Sequence, residues 1–322
     1  MSQLNTDRAV VRILREAAQE AGVEVQSIGE GWILRFTRSG VTRFLHGYTL
    51  DLNTAATHAI ACDKGATSDV LGAFGVACVE HRVFLHPKMA AYVVHRGNWE
   101  AMLAYARQCG FDVVVKDNQG TGGRGVYRAR NEVQLEHAVY RLFAQTQAVA
   151  ISPFYEAPVE RRFIMLGGRC EAAYTKQRPS VVGDGKRTVL ELLADRLVRE
   201  GAGGPAARLI ANLDEESSAG LGEVLPTGAA RLLNWRHNLG QGAAVTLVEP
   251  SGPGLELAQR AAAALNLACG SVDVIETPEG PRVLEVNAGL MMEFLAREVE
   301  GGEAIARRVY RRAFEMMFAE AK

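Results

Sequence analysis

The chain has 322 residues, 48% of them hydrophobic and 23% charged, enough for about two domains and too apolar for a disordered polypeptide. Its 36 Lys and Arg against 37 Asp and Glu leave a net charge of -1, so no global field steers it onto nucleic acid or anionic lipid, and any anion site must be local. Five cysteines (Cys62, Cys78, Cys109, Cys170, Cys269) with no close pair argue against a disulfide framework or zinc site and for reduced thiols in a cytoplasm. No run of about 18 apolar residues could span a membrane, and charges interrupt the apolar positions of the N-terminus, unlike a signal peptide.

Between Thr6 and Gly22, Val10, Ile13, Leu14, Ala17 and Ala18 form one helical stripe. Residues 32–36 and 41–45, joined by Thr37-Arg38-Ser39-Gly40, read as a hairpin. A helix follows Asp63, and a β-rich stretch ends near Val94. Asn98 can cap a helix over 99–109, which Gly110 closes before a strand at 112–116. Asn131 with Gln134 opens another helix, followed by a strand at 149–152. Within 162–174, two strands flank Gly167-Gly168, a strong hairpin signal. Thr188 and Glu191 form a capping box for a helix that stops at Gly201, and 201–204 and 212–222 read as loops. An alanine-rich helix at 255–267, a hairpin at 271–286 and a closing helix at 304–318 complete the chain. Helices and hairpins mix without steady β-then-α alternation, so the expected class is α+β, not a doubly wound parallel sheet.

Two constellations carry chemistry. The strand ending at Lys116 runs into a loop with Gly120, Gly122, Gly123 and Gly125, where backbone N–H groups can approach a polyphosphate with no Cβ between. The loop has neither Walker nor Rossmann spacing, and by itself it reads equally as a hairpin tip. In the later hairpin, Glu285 and Asn287 share a face; with the turn centred on Glu279, Asp273 lies opposite Glu285. Two facing carboxylates repel unless a cation lies between them, and hard oxygen donors suit Mg²⁺ better than zinc. The alternative is a solvated sheet face. His81 and His86 read as structural, Met291-Met292 as pocket wall or core, and no Cys–His arrangement recommends a nucleophile.

A lysine with a glycine-rich loop, followed about 150 residues later by a D…E-x-N hairpin, resembles the ATP-grasp superfamily, nearest the carboxylate–amine ligases of the cyanophycin synthetase and glutathione synthetase kind. Asp63-Lys64-Gly65-Ala66-Thr67 is similar to that family's Asp-Lys-x-x-Thr helix start. Val115-Lys116 with the glycine loop resembles its KP…GxxGxGV segment, with Asp117 in place of proline. The run from Val181 through Gly183-Asp184-Gly185-Lys186 to Leu193 is similar to VGDGK…T…EL, the most specific match. Arg236-His237-Asn238-Leu239 with Gly242 resembles R-x-N-L-x-x-G-G. The chain departs from the pattern at Ser152, where an acidic residue or glutamine is common, at Gly240-Gln241-Gly242-Ala243, and at Glu293, which stands near a usual histidine.

The resemblance implies an ATP-grasp fold: a small N-terminal domain (1–62), a lid subdomain with the glycine loop (63–152) and a C-terminal subdomain with the metal site (153–322). It implies ATP-dependent amide formation between an amino-acid or peptide carboxylate and an amine, through an acyl phosphate. Lys64 and Lys116 would contact the α/β-phosphates, with the N–H groups of Gly122, Gly123 and Gly125 closing over them. Ser152 and Phe154 would read adenine through their backbone, and Glu156 would meet the ribose. Asp273, Glu285 and Asn287 would hold one or two Mg²⁺, with Mn²⁺ as a substitute, while Arg236, Arg162 and Asn238 would attend the γ-phosphoryl and acyl oxygens. Arg178, Lys186 and Glu293 are further candidates for the substrate pocket. Neither nucleic acid nor membrane is implied as a partner; homodimerisation is common in such ligases, and no interface is legible. A kinase stopping at phosphoryl transfer and a nucleotide-binding regulator stay open as alternatives.

Overall fold

The computed structural model describes residues 8–92, 99–213 and 218–319. The expectations at Thr6, Val94 and Asn98, and part of the 212–222 loop, lie outside the described residues. Every strand pairing within the described sheets is antiparallel, as a mixed α+β chain built from hairpins should be.

The N-terminal helix Ala9–Glu20 leads into a meander of β1 (Glu24–Ile28), β2 (Ile33–Arg38), β3 (Val41–His46) and β4 (Thr49–Leu50). Its inner face (Leu34, Phe36, Leu45) packs with Ile13 and Leu14 of the first helix and with Tyr310 and Phe314 of the last, Gly302–Met317. This N-terminal layer therefore shares its core with the C-terminal helix. Tyr310 is fully buried; its hydroxyl donates to the Leu290 carbonyl at 2.7 Å and accepts from the Met292 amide at 3.1 Å. Tyr310→Phe, which strands both backbone groups, is expected to cost about 1–3 kcal/mol in chemical denaturation; an unchanged midpoint would refute the role.

The lid sheet has the order β5-β8-β6-β7, from β5 (Arg82–Leu85), β6 (Val113–Asp117), β7 (Val126–Ala129) and β8 (Ala148–Pro153). Val113, Val115, Val149 and Ile151 point to one face, against helices Trp99–Gln108 and Glu132–Phe143. With a period of two, Val114, Lys116 and Ser152 point to the other. Asn131 and Gln134 cap the second helix as the sequence leads one to expect.

The large sheet contains β9 (Val159–Leu166) and β10 (Arg169–Gln177), joined at Gly167-Gly168. A small unit is inserted after β10: β11 (Ser180–Val182), the box-capped helix Val189–Glu200, the helix Pro205–Ile210, and β12 (Ala230–Leu232). The sheet then adds β13 (Ala244–Val248), β14 (Cys269–Thr277) and β15 (Gly280–Asn287), in the order β13-β10-β9-β14-β15. Phe163, Met165, Val272, Val283 and Val286 face the helix Gly252–Ala264; Ile164, Leu166 and Cys269 face the N-terminal layer.

The segment after Asp63 packs with the large sheet and not with the lid sheet. The lid spans β5 to β8, because Leu71 and Val76 join the core around Leu257 and Ala258, so the helix Lys64–Ala73 belongs to the large sheet's layer. Residues 77–79 run along β15, the Val79 amide donating to the Val283 carbonyl at 2.8 Å and the Val283 amide to that of Ala77 at 3.0 Å. The apolar face of that helix is narrow, and tertiary contact alone decides which core it joins.

Candidate active site

Where the lid faces the uncovered end of the large sheet, a cleft of about 700 Å³ opens, lined from the lid by Lys116 and the glycine loop and from the sheet by Arg162, Lys176, Asp273, Glu285 and Asn287. The sheet residues share one face because each hairpin carries a bulge. In β14–β15 the register runs from Thr277↔Gly280 to Val274↔Val283; Leu284 is then extra, and Asp273 pairs with Glu285. Without that bulge Asp273 would oppose Leu284, and Glu285 would turn to the helix-covered face. Leu284 itself lines the cleft, with Ile275 and Ala157 nearby, and does not face away as simple alternation requires. In β9–β10 the extra residue is Glu171, and it aligns Tyr174 with Arg162 and Lys176 with Glu160.

Four charges beneath the cleft form a closed set. Arg162 grips Asp273 with both prongs (Nε–Oδ1 2.6 Å, Nη2–Oδ2 2.5 Å), Lys176 Nζ donates to Asp273 Oδ2 at 3.0 Å, and Lys176 also pairs with Glu160. Burial pushes the Asp273 carboxyl up, but Arg162 and Lys176 outweigh it and hold the group well below the usual range. Burial raises Glu160 to about 7, with the Asp273 charge pushing the same way and Lys176 and Arg162 opposing. Asp273 is 1% exposed, and three donors already occupy its oxygens. Arg162 and Lys176 thus neutralise Asp273 from the β9 side, while Glu285 across the hairpin has Lys64 3.8 Å away. Arg162, expected to face the acyl oxygen, is spent on Asp273.

Lys64 and Lys116 converge from different elements. Asp63 caps the helix Lys64–Ala73 through the Ala66 amide (2.8 Å), and Asn118 ties that start to the loop, donating to Asp63 at 2.7 Å and accepting from the Gly65 amide at 3.1 Å. Lys64 Nζ donates to the Gly120 carbonyl at 2.7 Å and lies 3.8 Å from Glu285. Lys116 is buried. Desolvation lowers its pKa to about 8, with Lys64 pushing the same way and Glu285 and Glu160 opposing. His81, buried nearby, is held neutral by burial and by the same two lysines. Asp117, in the usual proline position, turns the chain by accepting from the Gln119 amide at 3.1 Å.

The glycine loop is docked on the 236–241 segment. Arg236 Nη2 donates to the Val126 carbonyl at 2.6 Å, and the guanidinium lies 4.6 Å from the Trp235 ring centroid. Asn238 caps the turn Leu239–Gln241 through the Gly240 amide (2.7 Å). Its amide nitrogen lies so near Gly123 that a Cβ there would come within 1.9 Å, and Gly123 has φ +70°. Gly122 and Gly123 line the cleft; Gly125 packs toward Leu142 instead.

The other expected residues divide between the cleft wall and positions away from it. Ser152 and Phe154 line the cleft, but the Phe154 amide donates to the Asp112 carbonyl at 2.9 Å and is not available to a base. Glu156 points to solvent and pairs with Arg178 at 2.6 Å, so neither reaches the cleft. Lys186 lies in a turn closed on Asp184, away from the cleft, so the segment of most specific resemblance is a structural corner. Glu293 caps the N-terminal helix through the Ala9 amide at 2.9 Å.

Sequence reasoning missed Asn118, Glu160, Lys176 and Asn53. The Asn53 side chain donates to the Cys269 and Ala288 carbonyls and accepts from the Ala268 and Cys269 amides, fixing the ends of β14 and β15. A polar residue alone in a loop gives no sequence signal for such a role. Glu160 and Lys176 become visible once the Gly-Gly hairpin is laid out with a bulge.

A hard cation finds partial support here. Glu285 keeps 32% of its side chain exposed in the cleft, and the buried Nδ2 of Asn287 has no hydrogen-bond partner among the described residues. Turned over, that amide would present its oxygen in the same place, which suits a metal. Among the described residues, no three His, Cys, Asp or Glu side chains gather as a ligand set.

No family model matches the chain. It is 23% identical over 275 residues to "Cyanophycin synthetase" of Trichormus variabilis, covering 80% of this chain and 29% of that protein. It is 30% identical over 185 residues to "Glutathione biosynthesis bifunctional protein GshAB" of Lactiplantibacillus plantarum, covering 56% of this chain and 23% of that one. The chain thus spans less than a third of these relatives. A bifunctional glutathione synthetase from Pasteurella multocida superposes with a TM-score of 0.57 at 18% identity, over 97% of this chain and 44% of that one. D-alanine–D-alanine ligase from Bacillus anthracis gives 0.51 at 14% identity, over 81% and 67%. Among the described residues, no helix is long and apolar enough to cross a membrane. The chain has the ATP-grasp fold and resembles, in sequence and in fold, the carboxylate–amine ligases built on it.

Proposed function

We propose that the protein is an ATP-dependent ligase that joins an amino-acid or peptide carboxylate to an amine and releases ADP and phosphate. One observation carries the reading: two lysines from separate elements and a docked glycine loop face Glu285 and Asn287 across a single cleft. A carboxylate is a poor electrophile because oxide would have to leave; transfer of the γ-phosphoryl group supplies a better leaving group.

Lys116 and Lys64 meet the α/β-phosphates, with the N–H groups of Gly122 and Gly123 over them. Glu285 and Asn287 hold Mg²⁺, with Mn²⁺ as a substitute; bound there, the ion neutralises charge on the phosphate oxygens. Arg236 attends the transferred phosphoryl group and the acyl oxygen, and Asn238 positions the loop. Arg162 acts through Asp273, fixing the floor of the cleft. Adenine lies along residues 152–155 against Leu284 and Ile275. The docked loop keeps water from the acyl phosphate.

The test is phosphate release over amino acids supplied singly and in pairs. Release that needs both an acid and an amine, with a condensed product by mass spectrometry, is the expected result. A phosphorylated product accumulating without amine would make the protein a kinase instead. No ADP from any combination would leave a nucleotide-binding regulator.

A further inference from the structure

The cleft continues past Glu285 to the N-terminal layer, and its chemistry changes there. This end is lined by Trp32, His46, Tyr48, Leu239, Met291 and Phe294. The N-terminal layer, the helix Ala55–Ala61 and residues 288–294 contribute no Asp, Glu, Lys or Arg side chain to the lining. Backbone contacts bring these pieces together. The Leu290 amide donates to the Tyr48 carbonyl at 3.0 Å, which seats the turn after β15 on the meander. Gly289 lies so close that a Cβ there would come within 3.3 Å of the same carbonyl oxygen. Leu239 packs against the core that Tyr48 also borders.

The rings are held from behind. The Arg8 guanidinium is buried, donates to the Gly47 and Gly31 carbonyls at 2.7 and 2.6 Å, and lies 4.6 Å from the Trp32 ring centroid and 5.1 Å from that of Tyr48. Arg208, gripping Glu298 with both prongs, lies 4.7 Å from the Phe294 centroid. Trp32 meets His46 and Tyr48 edge-on. Trp32 nonetheless stays 41% exposed and Met291 47%, so large apolar area is left open in the wall of a cleft.

Charged side chains fit this end badly. An acidic or basic group would leave water here without meeting an opposite charge. A cation would gain little from the aromatic walls, because Trp32, Tyr48 and Phe294 each already carry a guanidinium. An apolar side chain removes its own surface and that of Trp32 and Met291 from water, against rings already held in place.

We propose that this end of the cleft is a substrate side-chain pocket, and that one of the two joined substrates is an amino acid with a bulky apolar side chain, an aromatic one above all. The assignment rests on the ligase reading above and names the substrate class for that same site. Trp32 and Met291 are the residues that touch the side chain.

The test is phosphate release by the full chain with phenylalanine, tryptophan and leucine against aspartate, glutamate, arginine and lysine, each offered with every common amino acid as second substrate. Pairs that include a large apolar amino acid should show kcat/KM about tenfold or more above pairs built only from charged ones. Trp32→Ala should raise the KM for phenylalanine about tenfold while the KM for ATP stays put, and Trp32→Phe should recover most of the loss. Met291→Glu places a carboxylate at an exposed position, and should shift the preference toward arginine and lysine. A wild-type preference for charged pairs, or an unchanged phenylalanine KM in both Trp32→Ala and Met291→Glu, would overturn the pocket. If Trp32→Ala does not fold by circular dichroism, Met291→Glu decides alone. Release supported only by charged amino acids sinks this inference and leaves the ligase, whereas no ADP or phosphate from any pair takes the ligase reading with it.

Discussion

Glu285→Ala is expected to lower Mg²⁺-dependent turnover by about 10³-fold, the loss typical when a group that stabilises transition-state charge is removed. The side chain faces the cleft, with Lys64 3.8 Å away, so its removal should leave the fold intact and the thermal midpoint within about 2 °C. A large drop in rate with little change in stability separates a role in chemistry from one in packing. Mn²⁺ affinity in the presence of ADP should fall with it. Turnover like that of the wild type would remove Glu285 from the metal site and with it the best support for phosphoryl transfer here.

Lys116→Met should weaken ATP binding about 100-fold by calorimetry, or ~2.8 kcal/mol at 1.4 kcal/mol per decade. Methionine fills the lid strand with a similar length of chain but carries no charge to the phosphates. The pH dependence sharpens the test. Burial brings Lys116 down to about 8 from its ordinary 10.5, so folding disfavours its charged form. The sign follows: through this lysine, wild-type stability rises as pH climbs from about 8 toward 10.5, a gain the methionine variant lacks. ATP acts in the opposite sense, since its phosphates favour the ammonium. Binding at pH 8.5 should therefore draw in protons, visible as a dependence of the heat on buffer ionisation enthalpy, and wild-type affinity should fall above pH 8. Equal affinity of wild type and variant across that range would show that Lys116 does not meet the phosphates.

Much of the machinery was written locally. The Asp63 cap, the Thr188–Glu191 box, the Gly167-Gly168 turn and the alternation in the lid strand each depend on neighbours a few residues apart. Such signals need no tertiary information. The glycine loop behind Lys116 and the E-x-N pair on one strand are of the same kind, and they place Lys116, Gly122, Gly123, Glu285 and Asn287 around the cleft.

The three-dimensional packing decided the rest, for two reasons. A bulge is a single extra residue with no strong local signature, yet it turns every later side chain to the opposite face. Leu284 and Glu171 thus decide that Glu285 meets Asp273 and that Lys176 meets Glu160. Charge partners, in turn, are chosen by proximity across strands far apart in sequence. That is why Asp273, read as a metal ligand from its own hairpin, is gripped by Arg162 and Lys176 from the two strands of another, and why Glu156, read as a ribose contact, turns out to Arg178. Local order along the chain set which residues could face the cleft; burial and long-range pairing set which of them keep their valences free for a ligand.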